Sequence, residues 1–391
     1  MILTHARIAQ GPRESTRGDI LVEHGRIFLA AASTSRRPNL DLAGFLLLPG
    51  LINAHDHLEF NLFPALCKGP YGNAKEWAED IYQPSEPPIR EHLSLSEGAR
   101  LTWGGLKNLL SGVTTVAHHN PSDRPWFDDA FPVHVVKRFG WAHSIDFSPD
   151  LVERFRGTAP GLPFILHAAE GIDERARAEV GHLDALGVLT GRTVLVHAIG
   201  LDQPDLDLLQ ARQCSIVWCP TSNLSLFGEI LPERTRRSRL NIALGTDSAM
   251  TAQTDLIAEV GVARRASGST AGTLYEMVTS RSARLLRLRE GEGFIQHRGV
   301  ADLVAIADRG QDPADALEDM YPELVIVGGT IKLISPRLLD RLSGCDLGRL
   351  HGIALEGRGA WFTTIDVASL HLETVRALGP EYRLAGRRIS L

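Results

Sequence analysis

Residues 46–59 read LLLPGLINAHDHLE: an apolar run broken by Pro49 and Gly50, resumed at Leu51 and Ile52, and closed by two histidines one residue apart. In an extended strand the side chains at i and i+2 share a face. His55 and His57 therefore present two imidazoles to one side, while Asp56 turns to the other. Such a pair at the end of a buried strand suits a metal ion.

Downstream of this stretch, apolar strands alternate with helical segments. Strand-like runs begin at Val113 and Val133 and continue with FILHAA at 164–169, VLVH at 194–197, SIVWC at 215–219 and IALGTD at 242–247. Helical patterns over 95–110, 172–186, 205–212 and 255–265 fill the gaps, with Asp173 and Glu174 in the first turn of the second. Strands that read as buried on both faces and alternate with helices predict a parallel sheet with helices outside. At about 250 residues the economical form is an α/β (β/α)8 TIM-like barrel. Between the second strand and His167 the chain is too short for two full units, so the third βα unit is expected to be degraded or missing. Upstream, residues 1–48 read as short strands, MILTHARIA, DILVEHGRIFLAAA with Gly25 at a hairpin-like turn, and FLLL. Too short to fold alone, they need the Val/Ile-rich runs at 299–307 and 324–334 as partners. The expected division is a small β-sandwich domain from 1–49 and 299–345, a hydrolase barrel over 50–298, and an extension of unknown role at 346–391.

Composition narrows the partners. The 391 residues carry a formal net charge of −6, which gives no reason to expect nucleic acid or a membrane surface. No apolar run approaches the roughly 18 residues needed to span a bilayer, so a cytoplasmic protein with a small-molecule substrate is expected. Cys67, Cys214, Cys219 and Cys345 are widely spread and form no CxxC pair, and are read as reduced.

In a barrel of this kind the reactive groups gather at the carboxyl ends of the strands. Those ends carry His55 and His57, His167 with Glu170 three residues on, His197, and Asp247. Imidazole nitrogens and a carboxylate suit zinc, or iron with an open position. A metal with water in that position makes hydroxide near neutral pH, which is hydrolytic chemistry. Each residue has a plainer use: the histidines as core residues, Glu170 as a helix N-terminal carboxylate, Cys219 and Asn223 as residues that turn the chain. His118, His119 and His143 also lie near strand ends, and Tyr71, Trp77 and Tyr82 sit in the loop after the first strand.

PGLINAHDHLE, GVTTV at 112–116, HAAEG at 167–171, LVHAIGL at 195–201, CPTSN at 219–223, LGTDS at 244–248 and VADLVAI at 300–306 together resemble the metal-dependent amidohydrolase superfamily. The nearest branch holds cytosine, guanine and S-adenosylhomocysteine deaminases and chlorotriazine hydrolases. The resemblance implies one divalent metal ion, zinc or iron, on His55, His57, His167 and Asp247. It implies Glu170 as the proton-transferring carboxylate and His197 as the stabiliser of the tetrahedral intermediate, with Asp247 ionised beside the metal. The reaction implied is attack of activated water at a C–N bond, most simply deamination of a nitrogen heterocycle. Asn223, Ser248, His119 and Trp77 are candidates for substrate contact, and a homodimer is the family's suggestion for assembly. Glu59 and Asn61 face a region where relatives differ, so no relative's substrate is inherited. Two alternatives stand beside this reading. In binuclear members a carboxylated lysine bridges two metals, a place that Lys137 would fill. A catalytically silent binding protein on the same scaffold is the other, and the complete donor set argues against it.

Overall fold

The computed structural model describes residues 1–29, 37–121 and 123–391. Eight parallel strands form the core of the barrel region: β1 (Leu51–Asp56), β2 (Val113–His118), β3 (His134–Val135), β4 (Gly140–Trp141), β5 (Phe164–Ala168), β6 (Thr193–His197), β7 (Ser215–Trp218) and β8 (Asn241–Leu244). β1, β2 and β3 make one ladder, and β4 to β8 another. The two ladders meet where β1 adjoins β8, through a parallel bridge between Asp56 and Asp247 and the Thr246 N–H donating to the His55 carbonyl at 2.9 Å.

The closed barrel expected from the sequence is realised only in part, because no ladder joins β3 to β4 among the described residues. The degraded third unit is found as anticipated: β3 and β4 have two residues each, and only residues 136–139 link them, with no helix. The cause is local composition. His134, Lys137 and Arg138 are exposed, so this arc cannot be buried on both faces as β5 and β6 are.

Alternation along the strands sorts apolar side chains into two layers. Ile52, Ala54, Ile165, Val194, Val196, Val217 and Ala243 share an inner cluster, whereas Phe164, Leu166, Leu195, Ile216 and Ile242 join the outer one against the helices. Helices start where the sequence supplies caps. α1 (Ala74–Ile81) is capped by Asn73, α2 (Glu97–Leu110) by Ser96 and α3 (Glu174–Ala185) by Asp173, each accepting from backbone N–H groups of the first turn.

The chain ends do meet, with Phe45–Pro49 antiparallel to Leu303–Ala307. Thirteen strands share one hydrogen-bonded path, and their pairing marks no division into the two sheets of the expected sandwich. Alternation predicts strands and faces, and leaves open whether a sheet continues or ends. Residues past 345 extend this sheet through His351–Leu355, Gly359–Thr363 and Arg387–Ser390. They also reach the barrel: Trp103 Nε1 on α2 donates to Thr374 Oγ1 at 2.8 Å, and Arg358 pairs with Asp255 at 2.8 Å. The predicted hairpin is present, its turn formed by His24 (φ 49°) and Gly25 (φ 72°), while the last residues of that predicted strand, 30–32, lie outside the described residues. All four cysteines are free. No helix of the described residues is long and apolar enough to cross a membrane.

Candidate metal centre and active site

The site is built upward from the end of β1. A register irregularity between Asn53 and Asp56 breaks the strict alternation, and Asp56 leaves the inner face for the helix layer. There its Oδ2 meets Lys107 Nζ at 2.8 Å, and it accepts from Asn108 Nδ2 at 2.7 Å, Asn61 Nδ2 at 2.9 Å and Asn53 Nδ2 at 3.2 Å. With Asp56 pinned beneath, His55 and His57 point into the opening.

The sequence-predicted donors converge. One ligand atom from each of His55, His57, His167 and Asp247 lies within 4.8 Å of all the others. Asp247 Oδ1 is 3.5 Å from His55 Nε2 and 3.6 Å from His57 Nε2, and the Nε2 atoms of His55 and His167 are 3.2 Å apart. His167 Nδ1 donates to the His143 carbonyl at 2.9 Å, so the Nε2 of the neutral ring carries a lone pair. Burial holds His57 and His167 well below the ordinary histidine range, with neighbouring histidines adding to the effect. Burial works to raise the Asp247 carboxyl, but the hydrogen bond with His55 and the nearby imidazoles win and hold it well below its usual range. Lone pairs from neutral rings and one carboxylate facing a common point are what a divalent cation requires. Ser222 Oγ (2.6 Å) and Thr251 Oγ1 (3.1 Å) both donate to Asp247 Oδ2, leaving Oδ1 to face the cluster. Ser222 lies within the CPTSN motif and Thr251 just past LGTDS, and sequence reading missed them because their alternative use as turn residues is equally ordinary.

Glu170 and His197 sit beside this cluster, His197 Nε2 being 3.3 Å from Glu170 Oε1. Asn223 Nδ2 donates to His197 Nδ1 at 2.9 Å. The proton of the neutral ring is thereby placed on Nε2, on the side of Glu170. Burial pushes the His197 ring down to about 4. Burial, with Asp247 and Glu179 nearby, pushes the Glu170 carboxyl well above its usual range. His197 (φ 72°) and Asp247 (φ 56°) both occupy left-handed backbone. Non-glycine residues hold that conformation at a cost of about 1–3 kcal/mol where the surrounding structure demands it.

A cavity of about 480 Å³ opens above, with His57, His167, Glu170 and Asp247 at its floor and Phe60, Trp77, Ile81, Tyr82, Trp141, Phe147 and Met250 in its walls. Of the four candidate substrate contacts, Trp77 and Ser248 line it. Asn223 does not; it is fully buried and holds His197 instead. His119 is also withdrawn, donating from Nε2 to the Ala142 carbonyl at 3.1 Å with its ring 4.5 Å from that of His167. Lys137, which would bridge two metals in the binuclear alternative, is exposed and donates to the Phe127 carbonyl at 2.7 Å. The aromatic walls contributed by Phe60, Trp141 and Phe147 come from a short 3-10 turn, the end of the two-residue strand β4 and a turn after it, segments too short for sequence periodicity to place.

Residues 147–332 match the amidohydrolase family. The chain is 26% identical over 338 residues to a 5-methylthioadenosine/S-adenosylhomocysteine deaminase of Syntrophobacter fumaroxidans, covering 71% of this chain and 75% of that one. By these matches the chain is amidohydrolase-like. The amidohydrolase-like chain is also 26% identical to a 5'-deoxyadenosine deaminase of Methanothrix thermoacetophila, over 74% of its own length and 81% of the relative's. In fold it is similar to an adenosine deaminase from Xanthomonas campestris with bound zinc (TM-score 0.68, 18% identity, 96% and 98% of the two chains). It is similar too to a mutant atrazine chlorohydrolase from Arthrobacter aurescens complexed with zinc and atraton (TM-score 0.69, 16% identity, 88% and 97%). The relatives matched in sequence are named as deaminases, so the chain resembles hydrolases that act on carbon–nitrogen bonds.

Proposed function

We propose that this protein hydrolytically deaminates an adenosine-type aminoheterocycle that carries a neutral substituent. The observation that carries the reading is the convergence of four donor atoms with Glu170 at the floor of an aromatic-walled cavity. His55, His57, His167 and Asp247 would hold one divalent cation, zinc by the softness and count of the donors. Bound there, it supplies a Lewis acid that lowers the pKa of water towards about 7.

The chain's own groups do the rest. Glu170, whose carboxyl is held above its usual range by burial and the nearby Asp247, takes a proton from the attacking water. It delivers that proton to the ring nitrogen and then passes the second to the departing amine, which leaves as ammonia. The His197 Nε2–H, fixed by Asn223, donates to the oxygen that is added at carbon and stabilises its growing charge. Trp77, Trp141 and Phe147 hold a flat ring between apolar faces. The withdrawal of Lys137 supports one cation rather than two.

Arg154 is the one lysine or arginine among the described lining residues, and it is committed to Asp150 at 2.8 Å and stacked on Trp141. A substituent with a carboxylate has no free cation to meet, which favours neutral 5'-substituted adenosines over amino-acid-bearing ones. The test is ammonia release by zinc-loaded protein from a panel of purine nucleosides, pyrimidines and triazines. Turnover of adenosine-type compounds is expected, and its absence across the panel with one cation bound per chain would overturn the assignment. For assembly we propose a cytoplasmic homodimer, supported by the family resemblance alone and measured by light scattering.

A further inference from the structure

The geometry points to Asn73 as a positioning residue that clasps the cavity wall to the turn carrying Glu170. Its side chain is 7% exposed and uses both ends of the amide. Oδ1 accepts from the N–H groups of Lys75 (3.0 Å) and Glu76 (3.1 Å), capping α1. Nδ2 donates to Asp173 Oδ2 at 2.7 Å, and the other oxygen of Asp173 accepts from Ala176 N–H at 2.9 Å, capping α3. One amide thus ties together the first turns of two helices whose caps are 100 residues apart in sequence.

The backbone reinforces the clasp on the Glu170 side. Ala74 N–H donates to the Glu170 carbonyl at 3.0 Å, Ile172 N–H donates to the Gly72 carbonyl at 2.8 Å, and Asn73 bridges Gly171 antiparallel. The two segments approach so closely that a Cβ on Gly171 would lie 2.5 Å from the Gly72 oxygen. α1 brings Trp77 and Ile81 to the cavity wall, so the residues that grip the ring and the carboxylate that moves its proton share one joint. Only an amide serves here. A carboxylate at position 73 would still cap α1 but would face the carboxylate of Asp173, and an alanine would do neither.

This inference rests on the acid–base role proposed for Glu170, and its test separates the two. The zinc-loaded full chain is compared with N73A, N73D and the reciprocal pair N73D/D173N. In that pair amide and carboxylate trade places, so the side chain at position 173 can donate to the one at position 73 while still capping α3. Turnover is measured on whichever compound releases ammonia fastest from the parent, and hydrogen exchange is followed at the amides of Ala74 and Ile172 without substrate. A carboxylate displaced by about 1 Å loses rate on the order of 10²-fold. N73D is therefore expected to lose roughly 10- to 100-fold in kcat with a smaller change in KM, and to exchange faster at both amides. The reciprocal pair is expected to recover most of the loss in both readouts. Parent-like kcat and exchange in N73A and N73D would overturn the inference, as would a reciprocal pair that folds with the parent's unfolding midpoint yet recovers neither. A parent inactive on every compound would refute the proposed function, while the exchange measurements would still judge the clasp.

Discussion

Replacing Lys107 by methionine removes the ammonium from beneath the site while keeping the length of the side chain. Asp56 is fully buried and Lys107 is 4% exposed, their contact distance being 2.8 Å. Breaking a buried pair from one side strands the other charge, at a cost of about 3–5 kcal/mol. Three amides, those of Asn53, Asn61 and Asn108, continue to donate to Asp56. They place the expected loss near the lower end, about 3 kcal/mol. Urea unfolding at neutral pH, followed by tryptophan fluorescence, measures it. The double variant D56N/K107M, which removes both charges, is expected to regain most of that loss, since neutral replacement of a buried pair is often close to neutral. A K107M midpoint equivalent to less than about 1 kcal/mol, the worth of an exposed pair, would refute the claim that Asp56 is held as a buried, paired charge.

Glu170→Gln is expected to lower kcat by about 10²–10⁴-fold with the cation content by mass spectrometry unchanged. Asn223→Ala is expected to release the His197 ring and lower kcat by roughly 10-fold or more with little change in KM, as steady-state kinetics will report. Burial, partly offset by the hydrogen bond from Thr221 N–H, pushes the Glu259 carboxyl up to about 8 from an ordinary 4.5. The folded chain therefore keeps a proton between pH 4.5 and 8 that the unfolded chain loses, so stability falls as pH rises through that window and levels off above it. Glu259→Gln, which keeps an oxygen for Thr221 N–H, is expected to flatten that slope in thermal unfolding measured from pH 5 to 9.

Much of the metal centre was legible because its donors sit at strand ends, where period-two patterning and the barrel's directionality fix which way side chains face. Strand-end position marked His55, His57, His167, His197 and Asp247 as ligand-type residues, the family resemblance singled out His55, His57, His167 and Asp247 among them, and these four do converge. The same logic assigned Asn223 to substrate and missed its bond to His197, since an amide beside a helix start reads alike in either role. The binuclear alternative through Lys137 stayed open because the two-residue strands on either side of it carry too little pattern to set a face. The sandwich was expected because short alternating strands at both ends describe each strand's faces and nothing about which strands pair; the strands up to residue 343 already share one hydrogen-bonded path, which residues past 345 only lengthen. The Asn73–Asp173 bond spans 100 residues, and only the folded chain brings its partners within reach.

The abbreviated arc at β3 and β4 contributes none of the four clustered donors, which come from β1 and the residue after it, β5 and the residues following β8. It does supply Trp141 and His143 to the cavity wall. Shape on that side can thus drift, by insertion or trimming, with the chemistry left intact, which makes this arc the natural place for new substrate preferences to be grafted.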